Sequence, residues 1–198
     1  MKNSASWLVR LAAILGFGFA LLLLSGVSRL SNPCEKPWVF FDLGNTVIVS
    51  HPGQESHYLP GVHAYIQELR RRGYPIGLIT NIPEKWAPSR TGRIRILKKM
   101  VAESWTKDQN AESMDWNDFP ESRIVIPSSD AYRKPGRHPF RAALDQVSLS
   151  EGTRHCRVVF QGEDPLEVEA AEKSGMIGYV VGKNPDAAYL PIEYLETR

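Results

Sequence analysis

Five short apolar runs punctuate the chain beyond residue 37: WVFFD (38–42), PIGLIT (75–80), RIVIP (123–127), RVVFQG (157–162) and IGYVVG (177–182). Each has the length of a strand, and most lack the polar alternation of a half-exposed one, which is the pattern of strands covered on both faces. Between the first two, PGVHAYIQELRRRG sets Val62, Ile66 and Leu69 on one helical stripe, with Pro60 to open the helix and Gly73 to close it. The alternation of strand and helix recurs through HPFRAALDQV and PLEVEAAEKSG. It predicts an α/β fold, a three-layer, doubly wound parallel sheet with helices on both faces.

The first 34 residues break this pattern. Leu11 to Ser28 forms a run of 18 uncharged residues between Lys2 and Arg10 on one side and Arg29 on the other. As a helix it rises about 27 Å, near the lower limit for crossing a hydrocarbon core of about 30 Å. An uncleaved N-terminal hydrophobic anchor helix, a cleaved secretory signal and a buried core helix all fit the run, the small residues Gly26 and Ser28 suiting cleavage. Cys34, behind Asn32 and Pro33, is poorly set for lipid attachment. The expected division is a signal or membrane anchor over 1–34 and a globular domain over 35–198. Lys2 and Arg10 hold the short N-terminal side inside, which places the domain outside the cytoplasm, anchored or secreted into a periplasmic space. Arg29 and Lys36 blunt that asymmetry and leave the opposite orientation open.

With 198 residues, 42% of them hydrophobic and 23% charged, the chain is sized for one ordinary globular domain. A formal net charge of +2 gives no ground for a nucleic-acid partner. The basic stretch RTGRIRILKK (90–99) does not change that. Its Arg90, Arg93, Arg95, Lys98 and Lys99 flank an apolar stripe of Ile94, Leu97 and Val101. The stretch reads either as a solvated amphipathic face or as a patch for a polyanionic substrate or lipid headgroups. Asp108, Glu112, Asp115, Asp118 and Glu121 follow closely enough to offset the charge.

In a doubly wound sheet the chemistry lies beyond the carboxyl ends of the strands. The first strand ends on Asp42, the second on Thr80 and Asn81, and the fourth on Gly162, Glu163 and Asp164, with Glu167 one helical turn later. Lys134 follows the third in YRKPG. An aspartate can attack phosphorus, forming an aspartyl-phosphate that water cleaves. Thr80, Asn81 and Lys134 can hold the oxygens of the transferred group, and Mg²⁺ needs only one or two protein carboxylates, here Asp42 and Glu163. Each residue also has an ordinary reading. Thr80 and Asn81 can open a turn beside Pro83, and Lys134 can be a solvated loop lysine. Glu163, Asp164 and Glu167 can complement a helix dipole for about 0.3 to 1 kcal/mol, which is compatible with metal binding.

Four segments, in order, resemble the motifs of the haloacid dehalogenase-like (HAD) hydrolase superfamily: FFDLGNT, LITN, RKP around Lys134, and GEDPLEVEAAEKSGM. The resemblance spans most of 37–182 and implies a HAD-like Rossmannoid sheet. It implies Asp42 as nucleophile and metal ligand, the Gly44 carbonyl, Glu163 and Glu167 on the metal side, and Thr80 and Lys134 on the phosphate. The cofactor it implies is Mg²⁺, and the substrate a phosphorylated one. Only 37 residues separate Asp42 from Thr80, so the chain resembles the minimal-cap phosphatases, which often act on sugar, histidinol or macromolecular phosphates. The zinc loop of some relatives is absent, since no cysteine lies between 34 and 156.

The chain departs from the pattern in three places. Gly44 stands where the superfamily's phosphatases usually carry a second aspartate, the general acid and base, a group worth roughly 10²- to 10⁴-fold in rate, or about 3 to 5 kcal/mol. Glu163 and Glu167 are each one methylene longer than the usual aspartate. The expected function is a Mg²⁺-dependent phosphomonoesterase working through Asp42. The alternative is a catalytically degenerate HAD-like domain that binds a phosphorylated ligand or a protein partner. His51 and His57 are either substitutes for the missing acid or ordinary exposed loop histidines. In the superfamily fold the strands after Cys34 and Cys156 are parallel neighbours, which implies a disulfide in an oxidising compartment, two unrelated thiols being the other reading.

Overall fold

A computed structural model of the chain describes residues 34–49, 53–108, 112–153 and 155–196. The apolar segment 11–28 and His51 lie outside the described residues. Among the described residues no helix is long and apolar enough to cross a membrane.

The apolar runs become five strands: β1 (Trp38–Phe41), β2 (Ile76–Ile79), β3 (Ile124–Val125), β4 (Val158–Gly162) and β5 (Ile177–Val180). They form one sheet in the order β3-β2-β1-β4-β5, and every pairing is parallel. Among the described residues the helices are α1 (Val62–Arg71), α2 (Arg90–Ser104), α3 (His138–Glu151), α4 (Pro165–Glu172) and α5 (Ile192–Glu196). Successive residues of β1 point to opposite faces. Val39 and Phe41 pack with α1, α2 and α5 through Val62, Ile66, Ile94, Val101 and Leu195. Trp38 and Phe40 pack with α3 and α4 through Phe140, Val147, Val168 and Ala171. The sheet is thus a middle layer between two helical ones, doubly wound about β1, whose neighbours are β2 and β4.

Close packing fixes one glycine. Phe40 pairs with Gly77 across β1 and β2. A Cβ at Gly77 would stand 2.6 Å from the Phe40 ring and 2.5 Å from the Arg123 carbonyl, so only glycine fits. At the end of α1, Gly73 takes φ 76°, a left-handed residue just past the helix as its sequence position predicts.

The structure departs from the sequence pattern at β3 and α2. The run 123–127 yields only Ile124–Val125 as strand, because Arg123 belongs to a short 3₁₀ turn (Glu121–Arg123) and Pro127 has no N–H for a ladder. α2 is a solvated basic face only in part, with Arg90, Arg95 and Lys99 exposed. Arg93 is buried beside Ile94, and Arg90 donates to the carbonyls of Glu121 and Ile124. Lys98 pairs with Glu121 and lies over the Trp116 ring.

Cys34 and Cys156, at the amino ends of β1 and β4, form a disulfide with Cα atoms 5.3 Å apart. Between β1 and β2 stand a short two-stranded flap and α1. The flap is pinned by hydrogen bonds from the Val49 amide to the His57 carbonyl and from the Leu59 amide to the Val47 carbonyl.

Candidate active site

The central strand delivers Asp42. β1 is buried along its whole length, and the Asp42 amide continues the ladder by donating to the Gln161 carbonyl at 2.9 Å. The carboxylate therefore emerges at the tip of β1, at the point where the sheet's winding reverses, with only 8% of the residue exposed. The chain then turns sharply. The amides of Val47 and Ile48 both donate to the Leu43 carbonyl, and the Asn45 amide donates to the Ile48 carbonyl at 2.7 Å. Asn45 takes φ 52°, a left-handed conformation that asparagine tolerates. None of these bonds uses the Gly44 carbonyl.

Lys134 meets Asp42 from the β3 side. Its side chain is 1% exposed, and its ammonium donates to Asp42 Oδ1 at 2.5 Å and Glu167 Oε2 at 2.6 Å. Glu167 stands in the first turn of α4, whose N-terminus is capped by Asp164 accepting from the Leu166 amide at 2.8 Å. Glu163, between β4 and α4, is held by a reciprocal pair. Thr46 Oγ1 donates to Glu163 Oε2 at 2.9 Å and accepts from the Glu163 amide at 3.1 Å. Thr80 sits at the exit of β2, its amide bonded to the Val125 carbonyl at 3.0 Å and its side chain largely buried. Asn81 commits both atoms of its amide to one residue, donating to the Lys134 carbonyl at 3.1 Å and accepting from the Lys134 N–H at 2.9 Å.

The predicted rim residues thus converge, in a division of labour that spacing does not reveal. Lys134 lies between Asp42 and Glu167, while Glu163 answers to Thr46 and to Asp42. Thr46, fully buried, is a site residue that the strand-end rule misses. Only its place in FFDLGNT, four residues past Asp42, marks it. Behind the site a satisfied polar layer ties β4 to α1 and the C-terminal segment. Gln161 Nε2 donates to the Tyr65 hydroxyl at 3.1 Å, Tyr65 donates to the Leu190 carbonyl at 2.7 Å, and Gln161 Oε1 accepts from the Leu190 amide at 2.8 Å. Tyr189 donates to the Thr46 carbonyl at 2.8 Å, so this segment also braces the turn after Asp42.

The site is electrostatically unbalanced. Asp42, Glu163 and Glu167 face one lysine. Burial raises the Glu163 carboxyl above its ordinary value, and the adjacent Asp42 charge raises it further, against the hydrogen bonds from its own amide and Thr46. Burial likewise raises Glu167, opposed by Lys134. A carboxylate pair under mutual repulsion is a setting that a dication relieves. The donor set of Asp42 and Glu163, with the Gly44 carbonyl nearby in the chain, fits Mg²⁺, an ion of hard oxygen ligands. Glu167 is turned to Lys134. Among the described residues the one trio of acidic, histidine or cysteine donors within 4.8 Å of one another is Cys34, Glu151 and Cys156, where both sulfurs are already bonded, so the three acids do not close into one ligand triad.

His57 is placed elsewhere. Its ring contacts the Glu55 carbonyl at 3.3 Å and lines a separate cavity of about 740 Å³ with Tyr58, His63, Asp108 and Glu112. His63 Nδ1 lies against the Glu112 carboxylate, and its ring stacks on Tyr58 at 4.9 Å between ring centres.

No family model matches the chain, and no curated protein matches it in sequence. Among solved structures it is similar to an uncharacterized protein from Corynebacterium glutamicum ATCC 13032 Kitasato, 12% identical with a TM-score of 0.41 over 81% of this chain and 90% of that one. It is also similar to a protein described as a "putative had-like phosphatase" (mll2559) from Mesorhizobium loti, 15% identical with a TM-score of 0.45 over 81% of this chain and 83% of that one. At these scores the likenesses carry no functional argument, which rests on the site alone.

Proposed function

We propose that the protein is a Mg²⁺-dependent phosphomonoesterase of the HAD-like hydrolase type, with Asp42 as its nucleophile. The observation that carries this reading is the buried Asp42 carboxylate at the switch point of the sheet, bonded at 2.5 Å to the buried ammonium of Lys134 and flanked by two further acids. The Asp42 oxygen forms a bond to phosphorus while the ester P–O bond breaks, its electron pair leaving with the alcohol oxygen. Water then attacks the acyl phosphate at phosphorus, releasing inorganic phosphate and restoring the carboxylate. Lys134 balances charge on the transferring group, Thr80 supports its oxygens, and Glu167 holds Lys134 in place. Thr46 aims Glu163. Asp42, Glu163 and the Gly44 carbonyl would hold Mg²⁺, which would supply positive charge against the repulsion between a phosphate dianion and an anionic nucleophile.

Among the described residues a small flap is what stands between β1 and α1, which supports a bulky phosphate ester as substrate. With Gly44 in place of an acid, the leaving group departs without a proton donor at that position, and good leaving groups are favoured. The Cys34–Cys156 disulfide and the basic-flanked apolar run 11–28 support an anchored or secreted domain in an oxidising space outside the cytoplasm. The test is chemical trapping. Borohydride reduction of the protein quenched during turnover of an aryl phosphate converts a phosphorylated aspartate to homoserine, detectable by peptide mass spectrometry at residue 42. Absence of that product in a protein that is turning over would remove Asp42 from the mechanism.

Gly44 favours a second reading, a domain that binds a phosphorylated ligand or a protein partner through the same lysine and threonine without turnover. A folded protein that binds phosphate and hydrolyses no aryl ester would establish it.

A further inference from the structure

β3 is two residues long, so backbone pairing with β2 ends at the Thr80 amide and Val125 carbonyl. Beyond that point residues 126–134 must still deliver the Lys134 ammonium to within hydrogen-bond range of Asp42. Side chains from the β2 exit and from α2 take over the ladder in three places. Arg93 Nη1 donates to the Pro127 carbonyl at 2.8 Å and Nη2 reaches the Ser128 carbonyl at 3.4 Å. Glu84 and Asp130 exchange bonds, the Glu84 amide to Asp130 Oδ1 at 2.9 Å and the Asp130 amide to Glu84 Oε2 at 3.4 Å. Asn81 brackets the Lys134 N–H and carbonyl, as a neighbouring strand would.

Arg93 is the most demanding of these. It is 5% exposed, donates to main-chain carbonyls, and keeps its Nε buried with no hydrogen-bond partner among the described residues, the Asp130 charge acting on it without a direct bond. Burying a guanidinium that forms no direct ion pair among the described residues is costly. Its retention is accounted for by what it orders, the segment leading to Lys134.

We propose that Arg93 and Asn81 are positioning residues that replace the missing end of β3 and preset the Lys134 ammonium between Asp42 and Glu167. This rests on the phosphatase reading for its catalytic consequence, while its geometric content stands alone. A lysine left on a loose loop explores many rotamers, and an error of about 1 Å in a charged group at a reacting centre costs on the order of 10²-fold in rate. Neither residue touches the reacting atoms, so their loss acts through Lys134.

The experiment is reductive methylation of the full chain, read lysine by lysine by peptide mass spectrometry, for the wild type, Asn81→Ala, Arg93→Gln and Arg93→Lys, with aryl phosphate kinetics on the same samples. Lys85, exposed, is the internal reference, and Lys36 and Lys98, half-buried, report general loosening. In Asn81→Ala and Arg93→Gln, Lys134 is expected to react roughly tenfold faster, the consequence of losing one or two hydrogen bonds that hold the closed form, with Lys36 and Lys98 unchanged. Turnover falls in parallel, and Arg93→Lys recovers part of both. Unchanged Lys134 labelling in folded variants, or acceleration shared by Lys36 and Lys98, overturns the proposal. Asn81 is exposed, so Asn81→Ala decides the matter even where Arg93→Gln fails to fold. A wild type without turnover would overturn the phosphatase reading alone, since the labelling measures the geometry directly.

Discussion

Replacing both bridged cysteines, as Cys34→Ser with Cys156→Ser, tests how the sheet is held at the end away from the site. The disulfide joins residues 122 apart in sequence. In the chain-entropy relation a loop of that size removes from the unfolded state the equivalent of about 5 kcal/mol at 25 °C. Both cysteines are half-buried, so serine adds little cost of its own. For a chain of this size each kcal/mol moves the midpoint by about 2 to 4 °C, which gives a fall of about 10 to 20 °C. The Trp38 Nε1 bond to Glu151 Oε1 at 2.9 Å and the β1–β4 ladder still fasten the same end in the variant. The assay is thermal unfolding by circular dichroism, oxidised wild type beside the double variant. Because Cys34 precedes β1 and Cys156 precedes β4, while the site follows both strands, activity at 25 °C is unchanged. A midpoint within about 3 °C of the wild type would refute the reasoning, as would two titratable thiols in the unreduced, denatured wild type.

Three further outcomes follow from the site. Lys134→Met leaves Asp42 and Glu167 buried without their cation, so turnover is lost and stability falls by about 3 to 5 kcal/mol near neutral pH, both read on one purified sample by aryl phosphate assay and denaturant unfolding. Glu163 and Glu167 have folded-state values raised above the ordinary 4.5, so the stability they contribute is full below that pH and is lost as pH rises through the raised values. Glu163→Gln removes one of these groups and flattens that decline in the metal-free protein, measured as midpoint against pH, and an unaltered slope would contradict the repulsion described. With Gly44 offering no proton, aryl phosphates are cleaved roughly 10²- to 10⁴-fold faster than alkyl phosphates of similar size, and equal rates would show that another acid serves.

Burial on both faces writes β1 to β4 as uninterrupted apolar runs, whereas β5 at the sheet edge is exposed or half-buried. The strand-end rule points to Asp42 and Glu163, while Lys134, nine residues past β3, is marked by its resemblance to the third motif. What stayed hidden depends on contacts between distant residues. Thr46 matters through Glu163, 117 positions away, and nothing local marks that pairing. Glu167 carries the spacing of a metal-side acid and in the structure bonds to Lys134, a contact that spacing does not show. Asn81, at the exit of β2, reads locally as a free donor, whereas its amide is committed to the Lys134 main chain. Arg93 sits in a basic run that suggests a solvated face. Its burial follows from carbonyls that β3 leaves unpaired, a consequence of a strand too short to be anticipated from RIVIP.

The most direct measurement is hydrolysis of an aryl phosphate by the full chain with and without Mg²⁺, beside Asp42→Asn. The account predicts turnover that requires the metal and is abolished in the variant while both proteins unfold cooperatively. Turnover that survives Asp42→Asn, or none in a folded, Mg²⁺-loaded wild type, would contradict it.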